Sequence, residues 1–163
     1  MSAQVGIFYY SFEGNTQFIA ETIQQSIGGK IIPVKPISSI PHAKVLKYFY
    51  GGKQALLHEV PPIESLVRTP GEFDIIFIGT PVWAFSYAPA IRALFAHYHI
   101  VDKVLALFCC HRGMPGITIS AMKKQLAGNR IIAEHKFYVP LSDTQQNKER
   151  VQLWAEQTIT QSR

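Results

Sequence analysis

Residues 9–21 read YYSFEGNTQFIAE and join an apolar run to a helical pattern. The apolar run, residues 3–10, has the short length of a buried strand. From residue 15 onward, apolar side chains recur every three or four positions, as they do on one face of a helix. The small and polar residues between them therefore form a loop that leaves the carboxyl end of a strand and opens a helix.

The remainder of the chain repeats this alternation of strand and helix. Further strand-like runs cover residues 30–34, 73–79, 104–110 and 130–139, and helical patterns cover residues 15–27, 88–98, 117–127 and 144–161. Several strands are apolar at successive positions, which is typical of strands buried on both faces. We predict an α/β fold: a doubly wound, five-stranded parallel sheet in the order 2-1-3-4-5, with helices on both faces.

The chain is expected to form one domain over residues 1–163, with an enlarged connection at residues 35–72 between the second and third strands. Within that connection, residues 42–59 look helical at both ends. The chain is 47% apolar and 17% charged, which is typical of a globular protein. We read no signal peptide at its start.

The charge and the cysteines bear on location and partners. Cys109 and Cys110 are adjacent, so they cannot join distant parts of the chain, and a reducing cytoplasm is the expected location. A net charge of +5 favours acidic partners, anionic cofactors or nucleic acid. The basic residues are scattered, however, and the aromatic cluster at 48–50 is better explained by an amphipathic helix. We therefore predict no nucleic-acid partner and no membrane association.

The loop at residues 11–16 has the features of a phosphate site. In a doubly wound sheet, ligands bind at the carboxyl ends of the strands where the strand order reverses, which places this loop at the site. The free amides and positive dipole end of the following helix favour an anion. Gly14 lets the backbone approach closely, and Ser11 and Thr16 add hydroxyl donors, so a lysine or arginine is not required.

Three loops together resemble the flavodoxin family. SFEGNT (11–16) is similar to that family's phosphate loop, while GTPVWAF (79–85) and CCHRGMPG (109–116) follow the third and fourth predicted strands, as the two flavin-flanking loops of flavodoxins do. The resemblance implies FMN as cofactor. It also implies three groups of cofactor-binding residues, which are Ser11, Phe12, Glu13, Gly14, Asn15 and Thr16 at the phosphate, Thr80, Pro81, Val82, Trp83, Ala84 and Phe85 on one side of the ring, and Cys109, Cys110, His111, Arg112 and Gly113 on the other.

The chain departs from the flavodoxin pattern in three respects. Glu13 stands where flavodoxins have a hydroxyl, and we expect its carboxylate to face solvent or to cap the helix start. Ala84 stands where many members have glycine, whose peptide can flip when the flavin is reduced, and we expect that flip to cost more here because alanine disfavours a positive φ. Flavodoxins are acidic, whereas this chain has a pI of about 9.3, so we predict a less reducing final redox couple.

Other chemistries fit the sequence less well. Cys110 and Arg112 are too close in sequence for a thiol-phosphatase loop, so a buried strand-end thiol is the better interpretation. His97 and His99 diverge on a predicted helix, and no metal site is expected. We assign no catalytic acid or base.

Two functions follow from the resemblance, and a third remains open beside them. The first is an electron-transfer flavoprotein serving a partner protein or a small-molecule electron acceptor. The second is an NAD(P)H-dependent reductase of quinones or other small acceptors. The third is a binding protein that uses the fold as a scaffold. The sequence does not predict the oligomeric state.

Overall fold

The computed structural model describes residues 3–37 and 60–162. The strands are β1 (Val5–Tyr9), β2 (Lys30–Pro33), β3 (Ile75–Trp83), β4 (Ser86–Tyr87), β5 (Val104–His111) and β6 (Arg130–Tyr138). The helices are α1 (Asn15–Ile27), α2 (Pro89–His97), α3 (Thr118–Gln125) and α4 (Thr144–Gln161), with 3₁₀ turns at Pro70–Glu72 and Pro140–Ser142. The predicted helical stretch at 42–59 and the aromatic cluster at 48–50 lie outside the described residues.

The sheet has the order β2-β1-β3-β5-β6, and all of these neighbours pair in parallel. This confirms the predicted doubly wound order of the five long strands. The short strand β4 was not predicted. It arises because β3 continues to Trp83 and the chain turns back through Ala84 and Phe85, so that β4 pairs antiparallel with the end of β3, with Val82 opposite Tyr87.

Both faces of the sheet are covered, as the strand pattern predicts. On one face, Phe8, Ile76 and Leu107 belong to a buried cluster that includes α2 and α3 side chains. On the other, Ile7, Phe77 and Phe108 belong to a cluster that includes α1 and α4 side chains. Successive strand residues therefore enter opposite cores, which explains why β1, β3 and β5 are apolar at nearly every position.

The way each helix begins and ends determines which backbone N–H and C=O groups remain available to a ligand. Gly28 ends α1 with φ at 76°, and its N–H donates to the Gln24 carbonyl. Asp143 caps α4 by accepting the Gln146 N–H at 3.0 Å. The start of α1 differs, because its N-cap residue is Gly14, which has no side chain with which to cap the helix. Among the described residues, no helix combines the length and apolar character needed to cross a membrane.

Candidate functional site

A pocket opens at the carboxyl ends of β1, β3 and β5. It holds about 860 Å³ of empty space, including the part open to solvent. Four chain segments meet there, which are the first loop (11–14) with the start of α1, the β3–β4 hairpin (81–87), the end of β5 with the residue that follows it, and the residue after β6. The lining residues are Ser11, Phe12, Glu13, Asn15, Thr16, Pro81, Val82, Trp83, Ala84, Cys110, His111, Arg112 and Val139.

The start of α1 supplies backbone donors to this pocket. Gly14 adopts the left-handed conformation, with φ at 90°, and its carbonyl accepts the Phe18 N–H at 2.9 Å. The amides of the first turn have no intrahelical acceptor, because the chain that would provide one precedes the helix. These N–H groups and the positive end of the helix dipole favour a bound anion.

Two hydroxyl groups beside this helix start are buried without partners. Ser11 Oγ and Thr16 Oγ1 are inaccessible to solvent and have no hydrogen-bond partner among the described residues. Thr16 is 1% exposed and lines the pocket. Leaving a hydroxyl buried and unpaired costs about 1–3 kcal/mol, and a ligand that accepts its hydrogen bond recovers that cost.

Glu13 is exposed to solvent at the rim of the pocket, in line with the first of the two expected positions. Its carboxylate lies 3.8 Å from the guanidinium of Arg112, and its side chain is only partly exposed. The acid is thus paired with the residue that follows β5. This contact places a positive charge beside the negative one and reduces its repulsion of a bound anion.

Aromatic side chains form part of the pocket wall. Trp83 meets Tyr10 edge-on at 5.6 Å between ring centroids and meets Phe12 edge-on at 5.7 Å. Burial raises the pKa of Tyr10 to about 12, so its phenol stays protonated. Edge-to-face pairs stabilise a fixed ring arrangement, so these contacts fix the indole in the pocket wall.

The hairpin that carries Trp83 turns through two residues with positive φ. Ala84 has φ at 47° and Phe85 has φ at 62°, the backbone pattern of a type I′ turn. Such turns prefer Asn-Gly, and each other residue with a side chain costs roughly 1 kcal/mol there. Ala84 already has a positive φ in this structure, so the conformational cost expected of alanine at this position is present in the turn.

The strained turn is held by the loop 112–117. Ile117 donates its N–H to the Phe85 carbonyl at 2.9 Å. Gly116 approaches so closely that a Cβ there would lie 2.3 Å from the Phe85 carbonyl oxygen. These backbone contacts join two of the three segments that were predicted to bind a cofactor, and they fix the turn without using either side chain.

Five of the predicted site residues do not line the pocket. Gly14 sits at the helix start, and Phe85 is exposed to solvent. Thr80 is fully buried, and its Oγ1 accepts the Ala88 N–H at 2.9 Å, which anchors the hairpin. Cys109 points into the core on the opposite face of the sheet from Cys110. Gly113 accepts a 2.6 Å hydrogen bond from His111 Nδ1.

Val139 lines the pocket although sequence reasoning did not select it. It has φ at 35°, which is rare for a β-branched residue, and its N–H donates to the His111 carbonyl at 2.9 Å. The following turn contacts α1, where Leu141 N–H donates to Asn15 Oδ1 at 3.1 Å. No sequence signal marks this conformation, because a residue before proline is expected to be extended.

Neither cysteine is a nucleophile at neutral pH. Burial raises the pKa of Cys109 to about 12 and raises that of Cys110 further. The Thr16 hydroxyl beside Cys110 opposes that shift without forming a hydrogen bond of ordinary geometry. Across residues 3–37 and 60–162, no group of three His, Cys, Asp or Glu side chains is placed to hold a metal ion.

No protein-family model and no curated protein matches this chain in sequence. Solved structures do match in three dimensions. A flavoprotein from Lactobacillus acidophilus, in complex with FMN, has a TM-score of 0.71 at 22% identity, over 94% of this chain and 99% of the other. A Bacteroides uniformis protein assigned as a flavoprotein has a TM-score of 0.81 at 15% identity, over 96% and 99%.

A third match is an oxidised flavodoxin from Bacillus cereus, with a TM-score of 0.62 at 16% identity, over 97% of this chain and 99% of the other. The chain has the flavodoxin-like fold. The flavodoxin-like order of strands places the first loop, the hairpin and the end of β5 at one edge of the sheet, and the pocket lies between them.

Proposed function

We propose that this flavodoxin-like protein binds FMN in the pocket and carries electrons between redox partners. The observation that supports this most directly is a pair of buried hydroxyls at the start of α1, Ser11 Oγ and Thr16 Oγ1, which have no hydrogen-bond partner among the described residues. Hydroxyl donors and helix amides suit a phosphate monoester. A phosphate needs several such donors, and this helix start supplies them without a lysine or arginine.

The rest of the pocket suits the flat flavin ring. Trp83 and Ala84 form one wall, and Cys110, His111 and Arg112 form part of another. An aromatic wall fixed by edge-on contacts favours a stacked planar ligand. The Lactobacillus acidophilus flavoprotein, which shares this fold, is in complex with FMN.

FMN, when bound, supplies the electron-accepting and electron-donating chemistry. The chain's own residues bind it, orient it and set the charge around it. Burial raises the pKa of both cysteine thiols, which stay protonated at neutral pH. The protein therefore contributes placement and electrostatics, which suits an electron carrier whose partner meets the flavin at the pocket mouth.

The experiment compares FMN with riboflavin, which lacks the phosphate. We expect the purified, flavin-free protein to bind FMN at least about tenfold more tightly than riboflavin, because charge-assisted hydrogen bonds to the phosphate contribute more than 1.5 kcal/mol. Quenching of flavin fluorescence measures both affinities. Equal affinities would show that the helix start does not hold a phosphate, and the absence of flavin binding would favour the scaffold function.

Anaerobic addition of NADPH to the FMN-loaded protein separates the two redox functions. An electron carrier needs a separate reductase, so its flavin absorbance should persist for the whole incubation. An NAD(P)H-dependent reductase would bleach its own flavin. Dithionite serves as the positive control for bleaching.

A further inference from the structure

An exposed apolar ledge borders the pocket mouth. It consists of Phe85, Met114 and Ile117, whose side chains are 62%, 74% and 63% exposed. Phe85 and Ile117 are joined by the backbone hydrogen bond at the hairpin tip, and Met114 lies in the same loop as Ile117. Several exposed apolar residues on neighbouring segments beside a pocket are typical of an interaction surface.

Phe85 is exposed to solvent in a backbone conformation that is unfavourable for a residue with a side chain. The residue occupies a turn position with φ at 62°, where glycine is preferred, and its side chain has no place in either buried cluster. Ile117 and Gly116 hold this turn in place from the neighbouring loop. A sequence that keeps a large apolar side chain in a strained, solvent-facing turn indicates contact with a partner rather than a contribution to folding.

The charge around the ledge indicates the kind of partner. Residues 75–101 and 103–133 contain no aspartate or glutamate. Arg112 lies two residues before Met114 in the same loop, and 73% of its side chain is exposed. It also faces Glu13, but at that exposure the guanidinium retains donors for a carboxylate on a partner. The chain as a whole carries a net charge of +5.

We propose that the ledge formed by Phe85, Met114 and Ile117 is the docking surface for an acidic redox protein, with Arg112 at its edge. This inference rests on the proposed electron-carrier function and adds the partner's chemistry to it. Three apolar side chains give a small contact, which fits the small, short-lived interfaces of electron-transfer encounters. Opposite charge then steers the encounter and makes its strength depend on salt.

The test uses an acidic [2Fe–2S] ferredoxin as the probe and basic cytochrome c as its opposite. We expect the FMN-loaded protein to bind the ferredoxin more tightly than cytochrome c, and that binding should weaken as salt rises from about 20 mM to about 200 mM. Met114→Gln and Ile117→Thr should each weaken ferredoxin binding by about threefold to tenfold. Leu153→Gln, at an exposed leucine on α4, is the matched control and should leave binding unchanged.

Two results would overturn the proposal: cytochrome c binding as tightly as ferredoxin, or the two ledge variants binding ferredoxin as the wild type does. Failure of the proposed FMN function is detected separately. The ferredoxin titration is also run on the flavin-free protein, in which the ledge is still present because it contains no cofactor atom. Flavin affinity measured on each variant shows that Met114 and Ile117 act on the protein partner alone.

Discussion

Gly116 lies directly against Phe85, so that a methyl group on Gly116 would come within 2.3 Å of the Phe85 carbonyl oxygen and 2.7 Å of its Cα. Gly116 itself has φ at 56°, a conformation that favours glycine. Together with the hydrogen bond from Ile117, this close approach fixes the tip of the β3–β4 hairpin. The position of Trp83 in the pocket wall therefore depends on a loop that is distant in sequence.

Gly116→Ala tests that dependence. The added methyl group cannot fit without moving the hairpin, so we expect the free energy of unfolding to fall by about 1–3 kcal/mol and FMN affinity to fall with it. Gly113→Ala is the matched control in the same loop, because a Cβ there meets nothing within 4 Å. Chemical denaturation and flavin titration measure both effects. Equal behaviour of the two variants would contradict the close packing.

Phe85→Gly tests the strain in the hairpin turn. Glycine is the preferred residue at this position of a type I′ turn, so the free energy of unfolding should rise by roughly 0.5–1 kcal/mol although a large apolar side chain is removed. Urea denaturation of the flavin-free protein measures it. A loss of more than about 1 kcal/mol would mean that the Phe85 side chain packs in the folded core.

The fold was largely predictable from sequence, whereas this turn was not. Uninterrupted apolar runs at β1, β3 and β5 identified buried parallel strands, and helix ends at Gly28 and Asp143 carried their usual signals. The turn at Ala84–Phe85 has neither glycine nor asparagine, so the residue preferences of hairpin turns did not predict it. Tertiary contacts from Gly116 and Ile117 determine it instead.

Only the parts of the site that depend on a local sequence pattern were predicted. The loop at 11–16, with a hydroxyl residue at each end and Gly14 between, marked the start of α1. The role of Thr80 as a buried anchor, and the contribution of Val139 to the pocket, depend on contacts between distant segments. Those contacts leave no mark in the sequence near either residue.

His135 should make stability depend on pH. Its ring packs against Phe137, with centroids 4.2 Å apart, and against Trp154, and this burial lowers its pKa below 6.5, with Arg150 adding to the shift. The unfolded chain therefore binds a proton more readily, so stability is complete above pH 6.5 and falls as pH drops from 6.5 toward the lower folded pKa.

The measurement is the free energy of unfolding from pH 7.5 to pH 5, compared with His135→Gln, which lacks the titrating group. The variant should show a shallower loss toward acid pH than the wild type. Identical slopes would mean that His135 titrates as in the unfolded chain, and a steeper slope in the variant would reverse the sign that burial predicts.

Arg112→Gln should make the FMN-loaded protein more reducing. A positive charge beside the flavin stabilises its negatively charged reduced form, so its removal should lower the final potential by roughly 10–40 mV, the range that an exposed charge contribution of 0.2–1 kcal/mol implies. Spectroelectrochemical titration measures it. Lys124→Gln, on α3, is the control, and an equal shift there would assign the effect to net charge alone.

The most direct test of the central claim is the pair of variants Thr16→Val and Thr22→Val, which make the same change at two buried positions of α1. Thr22 Oγ1 already donates to the Phe18 carbonyl at 2.8 Å, whereas Thr16 Oγ1 has no partner among the described residues. Titrations with FMN and with riboflavin, beside unfolding of the flavin-free protein, give three readouts for each variant.

For Thr16→Val, we predict an FMN affinity about tenfold weaker, an unchanged riboflavin affinity, and a flavin-free protein about 1 kcal/mol more stable, because an unpaired buried hydroxyl has been removed. Thr22→Val should leave both flavin affinities unchanged. Equal FMN affinities for wild type and Thr16→Val, or an equal loss for FMN and riboflavin, would contradict a phosphate held at the start of α1.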